Sequence, residues 1–113
     1  MKITLCGSAR FESAFHEWNK KLTLAGHVVY SLAVFPSQEQ EKNWYTERQK
    51  QTLDLIHLAK IENSDWIFVL DVGGYVGEST AREIQFAKIM KRGIYLLTEV
   101  ENNPPLENAL LNP

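Results

Sequence analysis

The sequence predicts a small α/β domain built on a doubly wound parallel sheet of about four strands. Three observations predict it. Short β-rich runs alternate with segments of helical period along the chain, in the order β-α-β-α-β-α-β. The third run, "DWIFVL" (65–70), is almost unbroken in apolar residues, as in a strand buried on both faces. The 113 residues, 44% of them hydrophobic, suffice for one such domain and are too few for two ordinary ones.

Residues 2–6, "KITLC", form a first strand closed by a turn at Gly7 and Ser8. Phe11, Ala14, Phe15, Trp18, Leu22 and Ala25 then recur at helical spacing, and Gly26 stands where a helix C-cap belongs. "HVVYS" (27–31) is a second strand. Residues 32–43 have no period and, with Pro36 and a polar run, read as a loop. A second helix is expected from Trp44 to about Glu62, with Leu53, Ile56, His57, Lys60 and Ile61 along one side. The third strand runs into a glycine turn, and a third helix follows from about Ser79 to Lys91. "GIYLLT" (93–98) is a fourth strand. The domain proper is expected over 1–100, with 101–113, which holds Pro104 and Pro105, as an irregular tail or short docking segment.

Right-handed crossovers and a strand order of 2-1-3-4 make this a trimmed flavodoxin-like or Rossmann-like three-layer sandwich. Its switch point lies between strands 1 and 3, and ligands gather outside the carboxyl ends of such strands. Two segments meet there: "GSARF" (7–11) and "DVGGYVGEST" (71–80).

Composition narrows the function classes. A net charge of −2, from 14 acidic and 12 basic residues, gives no electrostatic footprint for nucleic acid or an anionic membrane. No apolar run approaches the roughly 20 residues that span a bilayer. The start "MKITLCGSAR" lacks the longer apolar segment and cleavage site of a secretory signal. The single cysteine, Cys6, has no internal disulfide partner, which fits a reducing compartment. A cytoplasmic protein is expected, with Cys6 as a small buried hydrophobe. Three scattered histidines and one cysteine show no metal-ligand spacing, so neither metal nor cofactor is expected.

The candidate chemistry lies at the switch point. Gly73, Gly74 and Gly77 allow positive φ and close approach of a ligand to the backbone. The helix after them begins with unpaired N–H groups suited to a phosphate or carboxylate. The turn is neither a Walker A loop nor a dinucleotide fingerprint, since no lysine follows its last glycine and no G-x-G-x-x-G is present. Glu83 has two readings. Thr80 and Glu83 are spaced as a capping box, although Ser79 serves equally as N-cap. Alternatively Glu83, on the face of Phe86, Ala87 and Met90, is a poorly solvated carboxylate at a cleft, fit for a nucleophile or base. Asp71 closes the third strand, as an Asx turn or a rim carboxylate. Arg10 is either a surface side chain or a two-point phosphate partner. His57 is either packed or chemical.

Taken together, "LCGSARF", "HLAKIENSDWIFVLDVGGYVGESTAREIQFA" and "RGIYLL" resemble the nucleoside 2-deoxyribosyltransferase-like superfamily. The likeness covers roughly residues 1–98 and points to a small bacterial and phage-type branch with a GGYVGEST-xx-EI signature. It implies that Glu83 attacks the anomeric carbon of a deoxynucleoside or its 5′-monophosphate and that Asp71 helps the base depart. It further implies that Gly7, Ser8 and Arg10 line the sugar and phosphate side, with Glu78, Ser79 and Thr80 at the helix N-terminus beside them. Two positions depart from the superfamily's pattern. Gln85 replaces a small residue, and His57 stands where nucleotide hydrolases of the superfamily carry an aspartate. The expected function is therefore N-glycosidic: a deoxyribosyltransferase or a nucleotide N-hydrolase. The alternative is a non-catalytic nucleotide-binding or sensing module with the same pocket. The expected partner is a small-molecule nucleoside or nucleotide, bound by a homodimer or higher homo-oligomer.

Overall fold

The computed structural model describes residues 1–35 and 45–113. Strands β1 (Lys2–Cys6), β2 (Val28–Tyr30), β3 (Trp66–Val69) and β4 (Gly93–Leu96) form one sheet in the order β2-β1-β3-β4. Every pairing is parallel, with Thr4 between Tyr30 and Ile67 and with Cys6 opposite Val69. This is the strand order expected from the alternation, in a flavodoxin-like three-layer sandwich. The helices are α1 (Glu12–Leu24), α2 (Glu47–Glu62), α3 (Glu78–Ile89), α4 (Leu97–Glu101) and α5 (Pro104–Leu111).

Successive side chains of a strand point to opposite faces, so each central strand feeds two cores. Ile3, Leu5, Phe68 and Leu70 pack with Phe15, Trp18 and Leu22 of α1 and with Leu97, Val100 and Leu110. Cys6, Ile67 and Val69 pack on the other face with Ile61 of α2 and Ala87 of α3. The unbroken run in β3 is thus buried on both sides: Ile67, Phe68, Val69 and Leu70 have no exposure.

Element ends differ from expectation where local chemistry intervenes. α2 starts at Glu47 because Thr46 and Gln49 form a reciprocal capping box; Pro36 and Trp44 lie outside the described residues. β4 stops at Leu96, two residues early, and turns into α4. Residues 101–113 are largely helical rather than irregular. Pro104 and Pro105 sit in the first turn of α5, where a missing N–H costs no hydrogen bond. Leu110 is 1% exposed and its carbonyl meets His27 Nε2 at 2.8 Å, so the tail closes the α1 face. Among the described residues no helix is long and apolar enough to cross a membrane.

Candidate functional site

β1 and β3 lie side by side, and the chain leaves them towards opposite faces, into α1 and α3. A crevice opens between the two departing loops, as a switch point requires.

α3 begins after Gly77, its N-cap, with no side-chain cap hydrogen bond; Ala81 N–H donates to the Gly77 carbonyl at 2.9 Å. The capping box of Thr80 and Glu83 therefore does not form. Thr80 is buried inside the first turn, and Glu83, five residues past the helix start, is too deep to reach back to the cap. Glu83 instead faces α2 and the end of β1. Its side chain is 16% exposed, and its Oε1 lies 3.7 Å from Nε2 of His57. Cys6 Sγ lies 3.6 Å from the same nitrogen, and the sulfur, the nitrogen and a Glu83 carboxylate oxygen all lie within 4.8 Å of one another.

Burial governs the charges here. It pushes the Glu83 carboxyl up to about 7, with Asp54 adding to the rise and Cys6 and Arg82 opposing it. Burial, then the neighbouring Lys60, lowers His57 to about 4, with Asp54 and the Leu5 backbone opposing the fall. Burial, then Glu83, holds the Cys6 thiol well above its usual range. A proton on the pair therefore sits on Glu83, so its contact with His57 is not an ion pair near neutral pH.

Two adjoining cavities open at this point. One, of about 210 Å³, is lined by Gly7, Asp54, His57, Lys60, Ser79 and Glu83 among others. The second, of about 280 Å³, lies between the first-strand loop (Gly7, Ser8, Ala9) and the entry to α3 (Tyr75, Gly77, Glu78, Ser79, Thr80). Gly7, Ala9 and Ser79 belong to both. The unpaired N–H groups of α3's first turn lie beside the second cavity.

The remaining expected residues go elsewhere. Asp71 is buried, and both its oxygens are taken by Thr98: the backbone N–H at 3.0 Å and the hydroxyl at 2.7 Å. It fastens the end of β3 to α4 and is not free to protonate a departing base. Arg10 donates to Tyr75 Oη at 2.9 Å, its Cζ 4.2 Å from that ring's centroid, and to Ser8 Oγ at 3.2 Å. Its guanidinium is thus engaged with Tyr75. Gly73 and Gly74 have φ of 64° and 82°, as a reversing turn needs, but are exposed, and Gly73 lines a different groove with Phe11 and Leu97. Gly77 has φ −79°, which any residue adopts.

Sequence reasoning missed Cys6, Asp54 and Lys60. Cys6 carried a usable signal: it ends β1 at the carboxyl edge of the sheet, and alternation sends it to the face opposite Leu5.

No protein-family model matches the chain, and no curated protein sequence matches it. Solved structures do. A 2-deoxyribosyltransferase from the psychrotolerant bacterium Bacillus psychrosaccharolyticus is similar with a TM-score of 0.63 and 19% identity, over 85% of this chain and 71% of that one. The Clostridium botulinum CMP N-glycosidase BcmB is similar with a TM-score of 0.56 and 20% identity, over 85% of this chain and 70% of that one. At such identity the likeness is one of fold, and the chain has the fold of a 2-deoxyribosyltransferase and of a CMP N-glycosidase, as the sequence resemblance implies.

Proposed function

We propose that the chain cleaves the N-glycosidic bond of a nucleoside or nucleoside 5′-monophosphate, with Glu83 as nucleophile. The setting of Glu83 carries this reading: a carboxylate withdrawn from water, tied into no helix cap, on the wall of a cavity at the switch point. The two fold neighbours, a transferase and a glycosidase of nucleosides and nucleotides, support the same class of reaction.

Glu83 attacks the anomeric carbon, the electrons of the C–N bond leave with the base, and the base takes up a proton. Water or a second base then opens the glycosyl ester, giving hydrolysis or transfer from one common intermediate. Lys60 suits the proton donor. It lines the same cavity, burial lowers its pKa, and its ammonium has protons to spare beyond the one given to the Ser31 carbonyl at 2.7 Å. The second cavity, with its backbone N–H groups and the Ser8 and Ser79 hydroxyls, suits the sugar and a 5′-phosphate.

The test is release of free base from a panel of nucleosides, deoxynucleosides and 5′-monophosphates. Wild type should release base, and Glu83→Gln should be slower by about a thousandfold or more. Wild-type kcat/KM should climb with pH through about 7, as Glu83 loses its proton. Saturable nucleotide binding that survives Glu83→Gln, with no base released from any substrate, would make the chain a nucleotide-binding module instead.

A further inference from the structure

We propose that Cys6, His57 and Glu83 form a site for one zinc ion, bound through Sγ, Nε2 and a carboxylate oxygen. The three atoms come from three elements, β1, α2 and α3, and lie within 4.8 Å of one another. Two separations are resolved: 3.6 Å from Sγ to Nε2 and 3.7 Å from Nε2 to Oε1. Tetrahedral zinc, with bonds of about 2.3 Å to sulfur and about 2.0 Å to nitrogen or oxygen, holds its ligands roughly 3.3–3.6 Å apart. Those two separations are within a few tenths of an ångström of that spacing, and the third, between Sγ and the carboxylate, is at most 4.8 Å and closes by rotation of the Glu83 side chain.

The surroundings favour a cation over the three groups alone. Cys6 and His57 are buried in the layer that holds Ile61, Ile67 and Val69, and Glu83 is largely covered. Three polar groups turned towards one point in an apolar layer are poorly compensated by each other, and a shared cation compensates all three. The donor set of thiolate, imidazole and carboxylate selects zinc over magnesium or calcium. His57 and Glu83 line the 210 Å³ cavity, which supplies both an entry path and room for a water as fourth ligand. On binding, the Cys6 thiol gives its proton to solvent and coordinates as thiolate.

A second consequence rests on the glycosidic reading above. A carboxylate coordinated to zinc gives electron density to the ion and is fixed in orientation by it, which makes it a weaker nucleophile towards a sugar carbon, so zinc holds the enzyme off and its removal restores it.

The test begins with chelator-treated protein titrated with cobalt(II) and with zinc. Cobalt should bind one equivalent and show a thiolate-to-cobalt charge-transfer band, and zinc should displace it. Cys6→Ala and His57→Gln should each weaken zinc by about a hundredfold or more. His16→Gln, which removes an exposed histidine 3.8 Å from Glu12, should leave the titration unchanged. A cobalt spectrum without the thiolate band overturns the site, and it needs no variant to fold. So does zinc affinity that survives Cys6→Ala or vanishes in His16→Gln. Base release by metal-free protein that one equivalent of zinc does not suppress overturns the regulatory part. The absence of base release under all conditions overturns the glycosidic reading, while the cobalt spectrum still judges the metal site.

Discussion

The connection from β3 to α3 is flanked by two carboxylates withdrawn from water, Asp71 at its start and Glu83 one turn into α3, and the two differ in how water has been replaced. At Asp71 both carboxylate oxygens receive a donor from Thr98, so the loss of hydration is made good by the protein. At Glu83 the neighbours are a thiol and a neutral imidazole, and the carboxylate is left under-solvated, with its pKa raised to about 7. A satisfied carboxylate is fixed in place and chemically quiet. An under-satisfied one at a cavity keeps its basicity for a ligand. Burial alone thus does not mark a reactive carboxylate; what marks one is burial without full compensation.

The largest expected effect that breaks this contrast is at the satisfied end. Asp71→Asn retains the shape but sets an amide N–H against one of the two Thr98 donors. Losing hydrogen bonds to a charged acceptor should cost about 2–4 kcal/mol, a fall in Tm of roughly 10–20 °C in a domain of this size. Base release per folded molecule should hardly change. A strong loss of turnover at unchanged Tm would return Asp71 to the acid role that its place at the strand end suggested.

At the other end, pH separates the pair. Glu83 ordinarily titrates at 4.5 and is raised to about 7 in the folded chain, so its contribution to stability is full below 4.5 and is lost as pH rises to 7. His57 ordinarily titrates at 6.5 and is lowered to about 4, so its contribution is full above 6.5 and is lost as pH falls to 4. Each window is about 2.5 pH units wide, on the order of 3 kcal/mol. Between 4.5 and 6.5 the two slopes oppose: unfolding moves a proton from Glu83 to His57 with no net uptake. In metal-free protein the pair should therefore add no slope to wild-type stability across that range. Glu83→Gln should leave a fall on acidification from His57, and should be more stable than wild type at pH 8. His57→Gln should leave the opposite slope. Denaturant melts at half-unit pH steps read all three; equal slopes in the two variants would mean that Asp54, Arg82, Lys60 and Cys6, not the pair, set the charge balance.

The sheet was legible because alternation of strands and helices admits few topologies, and the unbroken apolar run of β3 identifies a central strand. The tail was not, because Pro104 and Pro105 suggest irregularity until their positions in the first turn of α5 are known. Within the site, Glu83, His57 and the two loops carried a signal, since motif spacing places them at one edge of the sheet. Cys6 carried only part of one: alternation assigns its face, but its role depends on α2 and α3 converging over the end of β1, a long-range fact that no local period encodes. Asp71 misled for the same reason: its partner, Thr98, is 27 residues away.

The smallest effect sharpens the comparison inside the turn itself. Gly73 and Gly74 have φ of 64° and 82°, and a Cβ on either would meet nothing within 4 Å. Alanine there costs backbone strain alone, about 1 kcal/mol or slightly more, or roughly 4–8 °C in Tm. Gly77 has an unstrained backbone, but a Cβ would lie 3.2 Å from Tyr75 Oη, which Arg10 holds at 2.9 Å. Gly77→Ala should therefore shift Tyr75 at the wall of the 280 Å³ cavity and raise KM for 5′-monophosphates more than for nucleosides, with little change in Tm. Gly73→Ala and Gly74→Ala should do the reverse, lowering Tm with KM unmoved. If Gly73→Ala raised KM at constant Tm, the Asp71 end of the turn would be touching ligand after all, and the division between a structural end and a chemical end would fail.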